Sequence, residues 1–242
     1  MQKTIVQDLL EINSPCDIIH VHPNRTKQMI KSLSIMNRND VVIIPPGIDV
    51  KKYLSVTKEP EENLFLMVGI LEKIKHYDHA IMAFKIVTRY RPEAKLFIVG
   101  DGSLKQYLTQ LIRSLSLEKN VLPLGSVDEK TKLDLLSKAQ ALIHLGRPEG
   151  FGIVLIEALA TDTSIIAYDV PPLNELVKSG VSGVLVEIEN IKDNIIELAK
   201  SIISINKYDF DFKALKHSVK KYDIEIVTKK FEDLYIRLIA SK

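Results

Sequence analysis

Two glutamates lie in an otherwise largely apolar stretch, GRPEGFGIVLIEALA, which covers residues 146–160. The stretch is almost entirely aliphatic after Phe151, yet Glu157 stands in its middle and Glu149 lies eight positions before Glu157. An ionised carboxylate among buried aliphatic side chains is costly unless something pairs with it. The two acids therefore either bind polar neighbours within the fold or face a ligand. The spacing alone does not decide between these interpretations.

The residues around the two acids favour a ligand. Gly150 and Gly152 let the backbone pass close to a bound molecule, and they precede a predicted helix whose free amides favour an anion. Lys75, at the start of another predicted helix, can add a positive charge. A phosphate or diphosphate fits such a site. Glu157, in the second helical turn, could accept hydrogen bonds from a ribose diol. Glu149 would contact the group on the other side of the phosphates.

These side chains are positioned by short apolar runs that alternate with amphipathic segments from residue 64 onwards. Strands that are apolar on both faces and joined by helices predict an α/β fold with a doubly wound, Rossmann-like parallel sheet. In the strand order 3-2-1-4-5-6, ligands bind beyond the carboxyl ends of the first and fourth strands. The turn after the first strand holds Gly69, and the turn after the fourth strand begins the stretch 146–160. The predicted strands are 64–70, 95–101, 121–126, 141–146, 164–170 and 183–187, and the predicted helices include 78–90 and 103–115.

The two ends of the chain follow a different pattern. The motif IIPPGID predicts a linker, so we divide the chain into a partial N-terminal segment, 1–44, and a Rossmann-like domain, 45–242. The amphipathic segment 227–240 is one helix more than the sheet needs, and it must dock elsewhere. The N-terminal segment is predicted to hold a short helix, a strand at 17–23, a helix near 25–34 and a strand at 41–44.

Composition and charge exclude several classes of protein. The 33 basic and 31 acidic residues give a net charge of +2, so the chain has no strong overall positive charge that would attract nucleic acid. A single cysteine, Cys16, excludes an internal disulfide and suits a reducing compartment. The charged start is not a signal peptide, and no apolar run reaches the roughly 18 residues of a membrane span. We therefore expect a cytoplasmic protein.

Other candidate motifs predict structure rather than chemistry. The segment Gly100-Asp101-Gly102 lacks the third glycine of a dinucleotide fingerprint, so we interpret it as a tight turn that lines the site and expect no NAD. His20 and His22 have no acidic or cysteine partner nearby, and we expect no metal site and no cofactor. The remaining histidines singled out, expected to be solvent-facing or locally bonded, are His76, His79 and His144.

Taken in order, the motifs resemble the retaining glycosyltransferases of family 4. These enzymes have the GT-B fold, in which two Rossmann-like domains face each other over a cleft. The resemblance covers about residue 40 to the end, and it concerns mainly the domain that binds the nucleotide-sugar donor. The matching motifs are IIPPGIDVKKY, FLMVGILEKIKHYDHAIMAF, AKLFIVGDGSLKQYL, LPLGSV, RPEGFGIVLIEALA and DVPPLNELVKSGVSGVLVE.

The resemblance implies a hexosyl-type transfer from a nucleotide-diphosphate sugar to an unknown acceptor, with retention of configuration and without a metal. Lys75 would neutralise the leaving diphosphate, and Glu149 would contact the donor sugar near its reacting carbon. These two residues are the implied catalytic residues. Glu157 would bind the ribose hydroxyls. The implied donor-binding residues are Gly69, Lys75, Gly102, Ser126, Val127, Arg147, Gly150, Phe151, Gly152, Ile153 and Glu157.

The chain also departs from the family pattern. The family's Gly-Arg is Gly69-Ile70 here, so one of two cations for the diphosphate is missing. Arg147 could supply that charge, or it could be a solvated loop arginine. The other departures are His76 for the glycine after the lysine, Pro46 for the linker asparagine, Leu145-Gly146 for Pro-Ser, and Pro171-Pro172 for Gly-Gly, which removes two backbone donors.

Several alternatives stay open at this point. Family members usually begin with a full acceptor-binding domain, whereas about 44 residues precede the linker here. Residues 1–44 resemble the last piece of that acceptor domain, and the terminal helix of the donor-binding domain, 45–242, resembles the crossover helix that packs back onto it. The chain could be a piece of a longer protein, a half that needs a separate acceptor-domain subunit, or a short enzyme that forms homodimers through an uncovered apolar face. Peripheral membrane association is a further option. An inactive nucleotide-sugar-binding or regulatory module, or a sugar-nucleotide epimerase, is the competing function.

Overall fold

The structure is a computed structural model that describes residues 18–22, 27–28 and 41–240. The strands in these residues are β1 (Ile19–Val21), β2 (Val41–Ile43), β3 (Leu64–Val68), β4 (Lys95–Val99), β5 (Val121–Gly125), β6 (Ala141–His144), β7 (Ser164–Tyr168) and β8 (Gly183–Val186). The α-helices in the same residues are α1 (Val50–Leu54), α2 (Tyr77–Tyr90), α3 (Lys105–Ser114), α4 (Glu129–Lys138), α5 (Ile153–Ala160), α6 (Leu173–Leu176), α7 (Ile191–Ser204), α8 (Phe212–Val219) and α9 (Ile224–Ala240).

The main sheet has six parallel strands in the order β5-β4-β3-β6-β7-β8. Counted from β3, this is the predicted order 3-2-1-4-5-6, and the prediction of a doubly wound parallel sheet is confirmed. All six predicted strands are present, but each ends one or two residues earlier than predicted. After β3 and β4 the backbone turns at Gly69 and Gly100, where φ is 149° and 138°. The predicted runs extend past these turns, but the pairing of β3 with β4 ends at Val68 and Val99, so the strands end before those runs do.

Helices cover both faces of the sheet, as expected for a doubly wound domain. On one face α2, α3 and α7 pack over a core that includes Phe65, Phe84 and Leu108. On the other face α1, α4 and α5 cover Leu66 and Leu142. Burying each large apolar side chain contributes roughly 1.5–3 kcal/mol, so the two cores hold the carboxyl edge of the sheet in place. The helices predicted at 78–90 and 103–115 are α2 and α3.

The terminal helix docks on the N-terminal strands. Strands β1 and β2 form a separate two-stranded parallel sheet, and α9 packs against it through Val227 and Leu234, which contact Ile44. This arrangement confirms the predicted terminal helix and the strands predicted at 17–23 and 41–44. Of the helix predicted near 25–34, the described residues 27 and 28 are helical. The short helix predicted at the start of the chain and Cys16 lie outside the described residues.

The predicted linker passes directly beneath the start of α9. Ile48 forms a parallel bridge with Asp223, and a Cβ added at Gly47 would lie 2.8 Å from the side chain of Ile224. A side chain at residue 47 would therefore push the terminal helix away from the sheet domain. Within the part of the chain that the structure describes, we find no helix with both the length and the apolar character required to span a bilayer.

Candidate functional site

A cavity of about 480 Å³ opens at the carboxyl ends of β3 and β6. These are the strands between which the strand order reverses, and this is where open α/β sheets bind their ligands. The cavity is lined by His22, Pro46, Val68, Gly69, Lys75, Lys132, His144, Glu149, Gly150, Phe151, Gly152, Ile153, Val154 and Glu157. The structure therefore brings together most of the residues that the sequence predicted for the site.

The start of α5 forms one wall of this cavity. Gly152 precedes the helix with φ 87° and ψ 53°, a left-handed conformation that glycine adopts without a steric penalty. A Cβ there would also lie 3.0 Å from the side chain of Leu155. The first amides of a helix have no acceptor within it, and they carry the positive end of the helix dipole. Gly152, Ile153 and Val154 line the cavity, so this wall can bind an anion.

Opposite α5, a lysine and a histidine bind the first of the two acids. Oε2 of Glu149 accepts a hydrogen bond from Nζ of Lys75 at 2.6 Å, and it lies 2.7 Å from Nε2 of His144. Burial opposes ionisation of Glu149, but the contacts with His144 and Lys75 outweigh it and lower its pKa to about 2. Glu149 is therefore an anion at neutral pH, and its charge is balanced within the site.

A glycine makes room for this carboxylate. A Cβ built on Gly146 would lie 2.5 Å from Oε2 of Glu149 and 3.2 Å from Nε2 of His144. The first of these distances is too short for a real Cβ contact, so a side chain at residue 146 would displace the carboxylate of Glu149 from its position here.

The second acid is held from the other side of α5. Glu157 is 7% exposed, and its Oε1 accepts hydrogen bonds from Tyr53 Oη at 2.9 Å and from Lys132 Nζ at 2.8 Å. Both donors also contact Glu129: Lys132 lies 2.9 Å from its carboxylate, and the Tyr53 hydroxyl is hydrogen-bonded to it. The second acid is thus bound by protein groups that come from α1 and α4.

The remaining predicted residues, Gly102, Ser126, Val127 and Arg147, are not among those that line the cavity. Gly102 packs against the backbone of Leu71, where a Cβ would meet the main chain at 2.7 Å, so this glycine allows two turns to approach closely. Ser126 and Val127 follow β5, the former exposed and the latter packed on the core. The side chain of Arg147 is exposed, and its backbone amide donates to the carbonyl of Ile74 at 2.7 Å.

Three residues that contact the acids were not predicted from the sequence. His144 is the last residue of β6, and its place at the carboxyl end of a strand beside the switch point could have identified it. Lys132 and Tyr53 give no such signal. They lie 25 and 104 positions from Glu157 in the chain, on helices whose patterns indicate only burial and exposure.

One group of side chains in the described residues has the composition of a metal site. Potential ligand atoms of His76, Asp78 and His79 all lie within 4.8 Å of one another. Tetrahedral zinc ligands are separated by about 3.4 Å, because each lies about 2.1 Å from the metal. In addition, Nδ1 of His79 is 2.6 Å from the Tyr168 hydroxyl, so this nitrogen already has a partner within the protein. We assign no metal to this group. His20 and His22 both face the carbonyl oxygen of Ile44.

The fold of the chain matches that of GT-B glycosyltransferases. The pneumococcal O-GlcNAc transferase GtfA, solved in complex with UDP and GlcNAc, superposes with a TM-score of 0.80 at 19% identity. The match covers 92% of this chain and 45% of that chain. A chain of the GtfA/B complex matches with a TM-score of 0.76 at 20% identity, over 90% of this chain and 44% of that chain. At these identities the likeness shows the fold alone.

Sequence comparison identifies the family. The model of the glycosyl transferases group 1 family matches residues 51–220. N-acetyl-alpha-D-glucosaminyl L-malate synthase of Bacillus anthracis is 33% identical over 196 residues, which are 76% of this chain and 49% of that protein. The chain therefore belongs to the glycosyl transferases group 1 family, and the predicted resemblance to glycosyltransferases is confirmed at this level. The chain spans about half the length of the relatives it matches.

Proposed function

We propose that this chain is the donor-binding half of a retaining, family 4 type glycosyltransferase that takes a hexosyl-type sugar from a nucleotide diphosphate. The observation that supports the proposal is the convergence of Lys75, Glu149, Glu157 and the start of α5 on one cavity. The cavity lies at the switch point of a sheet whose fold matches glycosyltransferases. GtfA was solved with UDP, and that nucleotide diphosphate is the probe we choose for this chain.

The diphosphate would lie between Lys75 and the amides at the start of α5. A lysine contributes a compact positive charge, and the helix terminus contributes a fixed partial charge. Both stabilise the negative charge that develops on the leaving diphosphate as the bond to the sugar breaks. These two groups supply the stabilisation that the proposed step requires, and no metal ion enters the proposal.

The two acids would bind the sugars at either end of the diphosphate. Glu157 would accept hydrogen bonds from the ribose hydroxyls, and Glu149 would contact the donor sugar near the carbon that reacts. Lys75 and Glu149 are 2.6 Å apart, so a phosphate that approaches Lys75 must share or replace its carboxylate partner. This exchange would free Glu149 to interact with the sugar.

We also propose that an acceptor-binding partner covers the surface formed by β2 and α9. Four apolar side chains there are between 36% and 76% exposed: Ile43, Tyr235, Ile236 and Ile239. A surface of this kind favours association with another protein surface. The partner would be the acceptor domain of a longer chain, a separate acceptor-domain subunit or a second copy of this chain, and sedimentation of the chain with and without Ile236→Glu tests the last of these. A dimer that the substitution dissociates selects the homodimer, whereas a monomer at all concentrations excludes it.

The donor-binding proposal is tested by calorimetry with UDP, GDP and ADP, followed by assays of donor hydrolysis or transfer. We expect micromolar to millimolar binding of at least one nucleotide, typical of such substrates. We also expect loss of turnover in Glu149→Ala with retained nucleotide binding. If no nucleotide bound, the proposal would be wrong. If nucleotide bound but turnover was absent even when the chain was assayed together with its acceptor-binding partner, the inactive binding module would replace the enzyme.

A further inference from the structure

The environment of Glu157 differs from that of an ordinary ligand-binding acid. Glu157 lies among Leu155, Ile156 and Ala158, which are fully buried, and it is itself 7% exposed. A carboxylate in such surroundings is stable only when charged or polar partners compensate for the water it has lost. Those partners decide which way the carboxylate points.

Two partners reach Glu157, and both use the same oxygen. Tyr53 Oη lies 2.9 Å and Lys132 Nζ 2.8 Å from Oε1. In the described part of the chain, the hydrogen bonds to this side chain are both accepted by Oε1. Two donors from different helices restrain the position of Oε1 and so limit the orientation of the carboxylate. Because Glu157 lines the cavity, Oε2 is then the oxygen presented to a ligand.

Lys132 and Tyr53 are themselves held by a third group. Glu129 accepts hydrogen bonds from both, with a distance of 2.9 Å to Lys132 Nζ. The hydroxyl of Tyr53 has one proton, so it can donate to only one carboxylate at a time, whereas the ammonium of Lys132 has three protons. Lys132 is therefore the constant donor to Glu157, and Tyr53 is the secondary one.

We propose that Lys132, assisted by Tyr53, is a positioning residue that aims Glu157 at the donor's ribose hydroxyls and thereby makes the site selective for ribonucleotides. This inference rests on the proposed function, in which the cavity binds a nucleotide sugar. It adds a cause for selectivity: Lys132 also lines the cavity, but in this proposal it and Tyr53 act through Glu157, because each restricts the orientation of the acid that would contact the ribose. An unrestrained Glu157 would lose side-chain entropy on binding, which would weaken its contact with the ribose.

A purely structural role makes a different prediction from a positioning role. If the contacts around Glu157 only stabilised the fold, their loss would weaken all nucleotides alike. If they aim the carboxylate, their loss would weaken UDP but leave 2′,3′-dideoxy-UDP unaffected, because that nucleotide has no ribose hydroxyl. The ratio of the two affinities therefore isolates the positioning effect. Because both affinities are measured on one protein sample, the ratio does not depend on the folded fraction.

The experiment is calorimetric titration of UDP and 2′,3′-dideoxy-UDP into the unmodified chain and its variants. We expect the unmodified chain to prefer UDP by about tenfold or more, as hydrogen bonds to a charged group predict. Lys132→Met should reduce the preference to about threefold or less, Tyr53→Phe should reduce it by a smaller factor, and Lys132→Arg should retain most of it. Lys130→Met is the matched control, because this exposed lysine lies on the same helix. It should leave the ratio unchanged.

The outcomes separate this inference from the proposed function. If Glu157→Gln abolishes the preference for UDP while Lys132→Met and Tyr53→Phe keep it, the positioning role is overturned and the donor site stands. If UDP, GDP and ADP all fail to bind the unmodified chain, the proposed donor site itself is wrong and the inference falls with it. If Glu157→Gln keeps the preference for UDP, the inference is overturned, because Glu157 is then not the source of the selectivity. If Glu157→Gln and Lys132→Met lose the preference for UDP and Lys130→Met retains it, the result supports both the proposed donor site and the positioning role of Lys132.

Discussion

The two edges of the main sheet each hold a partly buried lysine, but in opposite surroundings. At the carboxyl edge, Lys75 contacts a carboxylate on the wall of a cavity. At the amino edge, Lys58 donates to the carbonyl oxygens of Leu136 and Ala139 and to the hydroxyl of Thr163. Burial lowers the pKa of Lys58 to about 7.

The difference lies in which partners can be exchanged. The backbone carbonyls around Lys58 are fixed by the strands and helices they belong to, and all three protons of its ammonium group are used. The partner of Lys75 is a side chain that can rotate away when a phosphate arrives. From this contrast we expect substitutions at the carboxyl edge to change binding, and substitutions at the amino edge to change stability.

The largest effect is expected from Lys75→Met. The variant removes the positive charge proposed to contact the diphosphate, and a charge-assisted hydrogen bond of this kind corresponds to roughly 10- to 100-fold in affinity. UDP titration is the measurement. Lys73→Met, which removes an exposed lysine from the same turn, is the control and should retain affinity within about twofold. Equal losses in both variants would show that bulk charge, rather than the position of Lys75, controls binding.

Lys58→Met should lower the stability of the fold and leave UDP affinity unchanged, the opposite of what we expect for Lys75→Met. It removes one hydrogen bond each from the carbonyl of Ala139, the carbonyl of Leu136 and the hydroxyl of Thr163, the last two of which keep another partner. The relief of burying an ammonium group offsets this loss in part. We expect the free energy of unfolding to fall by about 2 kcal/mol, as measured by urea titration. UDP affinity per folded molecule should stay the same. Unchanged stability, or a loss of affinity comparable to that of Lys75→Met, would remove the contrast between the two edges.

The pH dependence of stability provides a test of Glu149. Its pKa is about 2 in the folded chain and 4.5 ordinarily, so the unfolded chain binds more protons between these values. The stabilisation is complete above pH 4.5 and is lost as the pH falls toward 2. Between pH 6 and pH 3, the unmodified chain should lose about 1–2 kcal/mol more stability than Glu149→Gln in urea titrations. Parallel curves for the two proteins would refute the depressed pKa.

The smallest effect is expected from Arg147→Ala. The sequence suggested this arginine as a substitute for the family's missing cation, and its side chain is exposed near the turn that holds Glu149. Solvent and salt screen an exposed charge, so we expect UDP affinity to fall several-fold at low ionic strength and less at 0.5 M salt. Unchanged affinity in both conditions would indicate that Arg147 is an ordinary solvated loop residue.

The sequence predicted the scaffold because the features that define it are local. Apolar runs such as LFLMV and SIIAY indicated strands on their own, and the Gly-Phe-Gly turn marked the start of α5. The strand order followed from the general behaviour of doubly wound sheets. The positions of Lys75 and Glu149 on one cavity then followed from that order, because both follow strands at the switch point.

The sequence did not predict the contacts that bind the acids, because these contacts join distant parts of the chain. Tyr53 meets Glu157 across 104 positions, and the apolar pattern of α1 identifies this tyrosine only as a buried residue. His144 is the exception: it was expected to be solvent-facing or locally bonded, and it is locally bonded, since it contacts Glu149 five positions away, although it is buried rather than solvent-facing. The seat of α9 on β1 and β2 is likewise a tertiary contact that no local pattern specifies.

The most direct test of the donor site is a crystal structure of the chain with UDP bound. We expect the diphosphate oxygens within hydrogen-bond distance of Lys75 Nζ and the amides of Gly152 and Ile153, with the ribose hydroxyls against Oε2 of Glu157. Well-ordered UDP elsewhere, for example beside Lys58 at the amino edge, would contradict the account. So would UDP in the cavity with Lys75 and Glu149 still paired and its phosphates bound to other groups.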